Sequence, residues 1–89
     1  MIEVTENTVV AKPSIYEKHF FAIKSDKGLY FKYKSNEFDE RINNAKTYAK
    51  QDTAINECKQ LLKIKAQYPT RKWTWQKLYV VELTFVEKE

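Results

Sequence analysis

The chain has 89 residues, which is enough for one domain but too few for two separate hydrophobic cores. Hydrophobic residues make up 43% of it and charged residues 31%, a balance typical of globular proteins and not of disordered ones. Sixteen Lys and Arg against twelve Asp and Glu give a formal net charge of +4, a mild bias that helps an acidic or polyanionic partner approach without requiring one.

The compartment is indicated by three features of the sequence. No apolar run reaches the roughly 18 to 20 residues that a membrane-spanning helix needs, so no membrane partner is expected. Residues 1–6 are acidic and lack the basic and apolar stretches of a signal peptide, which predicts a cytoplasmic protein. Cys58 is the single cysteine, which agrees with a reducing compartment and excludes an intramolecular disulfide.

The N-terminal quarter of the chain predicts extended structure. Residues 1–14 contain a β-branched stretch at 8–10 that is closed by Pro13, a pattern that favours an edge strand or an ordered arm. Residues 15–25 alternate in part and are rich in aromatic side chains, which favour strands.

A β-hairpin is the clearest local prediction. Gly28, the single glycine of the chain, ends the sequence Asp26-Lys27-Gly28 and can adopt the positive φ that a tight turn needs. The strand that follows alternates, which predicts one apolar face and one face of lysines and a tyrosine. The apolar face consists of Leu29, Phe31 and Tyr33, and the other of Tyr30, Lys32 and Lys34.

Two helices are predicted after the hairpin. The first begins near the N-cap candidates Ser35 and Asn36 and carries apolar residues at helical spacing: Phe38, Ile42, Ala45 and Ala49. The second is capped by Asp52 and ends near Tyr68-Pro69. Its predicted core stripe consists of Ile55, Cys58, Leu62 and Ala66, widened by Leu61.

A long strand is predicted at the C-terminal end, because the apolar period returns to two. Its residues of one parity are Trp73, Trp75, Tyr79, Val81, Leu83 and Phe85, with Lys77 as the single break. The order (β)ββααβ predicts a single α+β domain over residues 1–89, with a mainly antiparallel sheet of three to four strands and both helices on one face. The last strand is expected to pair with a hairpin strand.

Residues capable of catalysis are few. His19 is the only histidine, and Cys58 lies on a predicted core stripe, where a buried thiol has a raised pKa and acts as a small hydrophobe. Asp39 and Glu40 lie at a predicted helix start, where negatively charged side chains interact favourably with the helix dipole. This position explains both residues without a catalytic role. No zinc or calcium spacing occurs, and one glycine cannot build a phosphate-binding loop. We therefore predict no enzyme activity, no metal and no cofactor.

Two clusters combine basic and aromatic residues and are predicted to contact a partner. The first is the polar face of the hairpin, which would stack bases and neutralise phosphates: Lys24, Tyr30, Lys32 and Lys34. The second lies at the junction of the second helix and the last strand: Arg71, Lys72, Trp73 and Trp75. The alternative is that the lysines solvate an outer face and the tryptophans fill the core.

In its size, its Lys-rich and Gly-poor composition and its hairpin-helix-helix-strand order, the chain resembles in style the small accessory proteins of phages and prophages of low-GC Gram-positive bacteria. The resemblance rests on no signature motif, so it assigns no functional residue. That group includes inhibitors of host defence such as anti-CRISPR proteins, which act on a host protein.

The expected function is therefore a non-enzymatic binder of a host protein, as an inhibitor or anti-defence factor. The aromatic content of 15% supplies contact residues for such a binder. The alternative is a small nucleic-acid-binding module that uses the Lys/Tyr face of the hairpin, although only two arginines weigh against reading of base sequence. A homodimer through an open sheet edge is a further option.

Overall fold

A computed structural model describes residues 2–6, 17–34 and 36–87. In this part of the chain, five antiparallel strands form one sheet and one long helix packs against it, so the predicted α+β class and mainly antiparallel sheet are confirmed. The strand order in the sheet is β1-β5-β2-β3-β4. The elements are β1 Ile2–Glu6, β2 Glu17–Ser25, β3 Tyr30–Phe31, β4 Phe38–Asp39, α1 Gln51–Gln67 and β5 Leu78–Glu87. The predicted number of three to four strands is too low, because β1 and β4 both join the sheet.

The sheet begins with an N-terminal edge strand. β1 runs antiparallel to β5, with Ile2 opposite Glu87 and Glu6 opposite Leu83. The β-branched stretch 8–10, which the sequence offered as an edge strand, lies outside the described residues. β1 lies within residues 1–14, where the sequence predicted an edge strand or an ordered arm.

The hairpin and the pairing of the last strand are confirmed. Gly28 has a φ of 79°, and the amide of Ser25 donates to the carbonyl of Leu29 at 2.8 Å to close the turn. β2 pairs with β5 along its whole length, which makes these two strands the centre of the sheet. β3, however, contains only two residues, because the chain leaves the sheet after Phe31.

The prediction of a first helix after the hairpin is wrong. Phe38 begins β4, which pairs with Phe31 of β3, and only a short 3-10 helix forms at Ile42–Asn44. Tyr48 exchanges two backbone hydrogen bonds of 2.8 Å with Phe21 of β2. Asn, Thr and Tyr are weak helix formers, and a helix of about twelve residues is marginal without strong packing. The backbone N–H and C=O groups of this segment form hydrogen bonds with the sheet instead of with a helix of their own.

The second predicted helix is confirmed as α1, which ends just before Tyr68. Its buried residues are Ala54 and Leu61, whereas Leu62 is exposed, so the helix is rotated relative to the predicted stripe. Asp52 lies in the first turn and does not cap the helix. Among the described residues, no helix combines the length and apolarity needed to cross a membrane.

The core is divided by the sheet into two clusters. On the α1 side lie the buried residues Ile23, Phe31, Tyr48, Ala54, Leu61 and Trp75. On the opposite side lie Ala22, Tyr30 and Leu83, packed against Ile42 and Ala45. The expectation that both helices cover one face is therefore wrong. The segment predicted as the first helix contributes Ile42 and Ala45 to the opposite side, whereas its residues Phe38 and Tyr48 pack on the α1 side.

The final strand begins later than predicted, at Leu78. Before it, one carboxylate oxygen of Asp26 accepts hydrogen bonds from the amides of Gln76 and Lys77, at 2.8 and 3.1 Å, and satisfies backbone donors that a strand ladder would otherwise use. Trp75 enters the cluster on the α1 side. The prediction that the tryptophans and the later apolar residues share one face of a strand is therefore wrong. Val81, Leu83 and Phe85 belong to the cluster on the side of the sheet opposite to Trp75.

Candidate binding surface

The hairpin residues Lys24 and Tyr30 are held by an acidic residue from β1. Lys24 Nζ and the Tyr30 hydroxyl both donate to Oε2 of Glu6, the lysine at 2.8 Å. The ammonium also lies 5.2 Å from the centre of the Tyr30 ring. Tyr30 is only 7% exposed. Lys24 is thus neutralised and Tyr30 is covered, so this pair offers neither a free cation nor a free ring face. We call Glu6, Lys24 and Tyr30 the inner cluster.

The pKa values of the inner cluster follow from this arrangement. Burial pushes the pKa of the Glu6 carboxyl upward, but the hydrogen bonds from Lys24 and Tyr30 outweigh it and hold that pKa below its usual 4.5. The hydrogen bond to Glu6 raises the pKa of Lys24 above 10.5 despite partial burial. The charged forms of both residues are therefore favoured in the folded protein.

Lys32 is also paired within the chain. Its Nζ lies 3.5 Å from Glu37 and 4.0 Å from Asp39. Asp39 accepts hydrogen bonds from the amide of Arg41 and from Asn44 as well, which lower the pKa of its carboxyl. Since two carboxylates face one ammonium, this part of the hairpin carries no surplus of positive charge.

The two tryptophans have different environments. Trp75 is fully buried in the core on the α1 side, where Lys65 covers its ring at 4.7 Å and donates to its backbone carbonyl at 2.8 Å. Trp73 is half-buried, and its ring meets that of Trp75 edge to face at 5.7 Å. Its indole N–H donates to the carbonyl of Tyr68 at 3.0 Å. Only Trp73 can contribute to a surface.

Arg71 lies between two aromatic rings. Its guanidinium carbon is 4.8 Å from the centre of the Tyr68 ring and 5.3 Å from that of Trp73. Tyr68 is 51% exposed, and Arg71 is exposed as well. Contacts of a guanidinium with ring faces are favourable and leave its N–H edge open to hydrogen-bond acceptors.

Asn36 connects the loop after β3 to the loop before β5. Its amide nitrogen donates to the carbonyl of Lys72 at 2.8 Å, and its amide oxygen accepts from the Thr74 amide and hydroxyl, each at 2.8 Å. Donor and acceptor are thus both used, which fixes the orientation of the side chain. As a result, Lys34 and Lys72, which are far apart in sequence, belong to loops that meet.

We call the aromatic and basic residues of these two joined loops the end surface. Tyr33 is 63% exposed, with Lys34 Nζ at 5.8 Å from its ring centre. In the part of the chain that the structure describes, Lys34, Arg71 and Lys72 make no ion pair. The end surface consists of Tyr33, Lys34, Tyr68, Arg71, Lys72 and Trp73.

The structure therefore divides the predicted partner-binding residues and adds three others. Lys34, Arg71, Lys72 and Trp73 come together at the end surface, whereas Lys24, Tyr30, Lys32 and Trp75 do not join it. Sequence reasoning missed Tyr33, Tyr68 and Asn36.

His19 contacts a carboxylate of β5, and Cys58 is partly buried in α1. Nδ1 of His19 lies 2.8 Å from Glu82 Oε1 and 3.4 Å from the Thr84 hydroxyl, so the acid and the hydroxyl meet the same nitrogen. A proton relay needs them on opposite nitrogens of the ring. Burial, with a smaller effect of Glu57, raises the pKa of the Cys58 thiol to about 11, which disfavours the nucleophilic thiolate.

Comparison of the chain with protein-family models, with curated proteins and with solved structures found no match.

Proposed function

We propose that this chain is a non-enzymatic domain that binds a protein through the end surface. The observation that carries the proposal is a cluster of two exposed tyrosines, an exposed arginine and a half-buried tryptophan, flanked by two lysines, in which no cation pairs with a described carboxylate. Tyr, Trp and Arg are the residues most enriched at the energetic centres of protein interfaces. The free charges select an acidic partner surface.

A protein partner explains the end surface better than a nucleic acid does. Base stacking needs open ring faces, but Arg71 occupies a face of both Tyr68 and Trp73. Lys24 and Lys32, which would neutralise phosphates along the hairpin, are paired with Glu6 and with Glu37. Three free cations are few for binding driven by counterion release.

The resemblance in style to phage accessory proteins supports a host protein as the partner, and inhibition of host defence as its consequence. An inhibitor needs a preorganised surface, since ordering a flexible one on binding costs affinity. The hydrogen bonds of Asn36 to Lys72 and Thr74 supply that order. This role stays a proposal that depends on the identity of the partner.

The proposal is tested by affinity capture with the wild-type chain and two variants of equal charge change. R71E/K72E reverses the end surface, and K59E/K63E reverses two exposed lysines on the outer side of α1. We expect a protein to be captured from a Gram-positive host lysate by the wild type and by K59E/K63E, and to be lost with R71E/K72E. Circular dichroism confirms that both variants fold.

Two results of this capture would contradict the proposal. The first is a partner that R71E/K72E retains, because binding would then use another surface. The second is a capture that disappears after nuclease treatment, because the bound component would then be nucleic acid.

A nucleic-acid module is the second candidate, and the open ring of Tyr33 beside Lys34 is the observation that favours it. Binding of single-stranded DNA or RNA would then weaken steeply between low and moderate salt. An affinity that changes little with salt excludes this candidate.

A further inference from the structure

The position of Arg71 restricts which chemical groups can reach it. The rings of Tyr68 and Trp73 lie against its guanidinium, at 4.8 and 5.3 Å. Arg71 is exposed, and its guanidinium carries N–H donors in a fixed planar fork. A carboxylate matches this fork with two parallel hydrogen bonds, and an aromatic base does not.

Lys34 and Lys72 supply further positive charge beside this fork. Lys72 follows Arg71 directly in the chain, and the Asn36 hydrogen bonds bring the loop of Lys34 against that of Lys72. In the described part of the chain neither lysine is ion-paired. A ligand that carries several negative charges along its length would meet three cations, while a single anion would meet one.

We infer that the end surface binds an acidic peptide segment of its partner, in which one carboxylate is held by the Arg71 fork and neighbouring carboxylates by Lys34 and Lys72. This inference rests on the proposed function and adds to it the chemistry of the recognised segment. Among the described residues, Lys34, Arg71 and Lys72 make no ion pair and complement an acidic segment in charge.

Asn36 acts as a positioning residue in this inference. It contacts no ligand in our proposal, but its side chain holds the two loops together through Lys72 and Thr74. Without these bonds, the cation of Lys34 would no longer be fixed relative to Arg71. Replacing Asn36 should therefore weaken binding of a multivalent ligand even where the fold is retained.

The test is an NMR titration of the ¹⁵N-labelled chain with three capped probes. They are a hexaglutamate peptide, a hexaglutamine peptide and a thymidine oligonucleotide with six phosphates. We expect hexaglutamate to shift the signals of Arg71, Lys34 and the Trp73 indole N–H, and to leave Tyr79 unchanged. Tyr79 is an exposed residue of β5 outside the end surface and serves as an internal control.

Variants make the titration specific. R71K keeps the charge but removes the fork, and should weaken hexaglutamate binding by about tenfold. K59R, a charge-conserving change at an exposed lysine of α1 outside the end surface, should change it by less than about twofold. N36A should weaken binding by about threefold and should speed hydrogen exchange of the Thr74 amide, which then lacks its acceptor. Unfolding midpoints confirm that each variant remains folded.

Each alternative result overturns the inference. Equal binding of hexaglutamine would show that charge is not recognised, and tighter binding of the oligonucleotide would assign the surface to phosphates. Hexaglutamate shifts that are absent or lie elsewhere would exclude an acidic segment. If capture of a host protein still depended on Arg71 in that case, the proposed function would stand and only this inference would fail.

Discussion

The inner cluster and the end surface both combine tyrosine with basic side chains, but only the inner cluster is covered and neutralised by an acid. In the inner cluster, Glu6 from the far edge of the sheet accepts from both Lys24 and Tyr30. At the end surface, Arg71 and the nearby rings have no such acid among the described residues. A basic and aromatic cluster is therefore a binding candidate only where the fold brings no carboxylate to it. The predictions below test this contrast.

Removal of one tyrosine from each region should give the largest difference. Tyr30→Ala empties a site that is 7% exposed in the core, and we expect it to cost about 3 to 5 kcal/mol of unfolding free energy. Tyr33→Ala removes a ring that is 63% exposed and should change stability by less than about 0.5 kcal/mol. Urea denaturation measures both. Similar losses in the two variants would show that Tyr33 is part of the packed structure.

Removal of the hydroxyl group should have different effects on stability at two buried tyrosines. Tyr30→Phe deletes a hydrogen bond to the Glu6 carboxylate and should cost about 1 to 2 kcal/mol. Tyr48 is equally buried, but its hydroxyl has no hydrogen-bond partner among the described residues. Tyr48→Phe should therefore be neutral or stabilising by up to about 1 kcal/mol. Thermal unfolding checks the pair, and a loss in both variants would contradict the assignment of Tyr48.

The ion pair of the inner cluster should appear as a pH dependence of stability. Because the folded pKa of Glu6 lies below its usual 4.5, the pair contributes stability above that pH and loses it as pH falls through the folded pKa. Glu6→Gln should cost about 1 kcal/mol near neutral pH, and the difference from the wild type should vanish in acid. Denaturation between pH 2 and 7 measures this. A difference that does not depend on pH would exclude the ion pair as its cause.

The smallest effect on stability is expected at the end surface. Lys34→Ala and Lys72→Ala each remove an exposed cation without an ion pair among the described residues, so the free energy of unfolding should change by less than about 0.5 kcal/mol. The same variants should weaken hexaglutamate binding. Lys24→Ala provides the contrast, since it should cost stability and leave peptide binding unchanged.

Local chemistry made parts of the fold predictable. Gly28 specified the turn of the hairpin because few other residues adopt its positive φ, and the apolar period of residues 51–67 specified α1. The segment that contains Phe38 and Tyr48 was not predictable in this way. Its apolar spacing fitted a helix, but its backbone bonds to β3 and β2 instead, and those partners lie elsewhere in the chain.

The candidate site was predictable only in its composition. The sequence by itself determined an α+β domain with a hairpin, the helix α1 and a final strand, because turns, periods and helix ends are local properties of the chain. Only the tertiary structure decided that Lys24 is neutralised, that Trp75 is buried and that the Asn36 side chain joins the loop after β3 to Lys72. Charge neutralisation and burial depend on contacts between distant residues, which Glu6 and Asn36 make here and which no local pattern encodes.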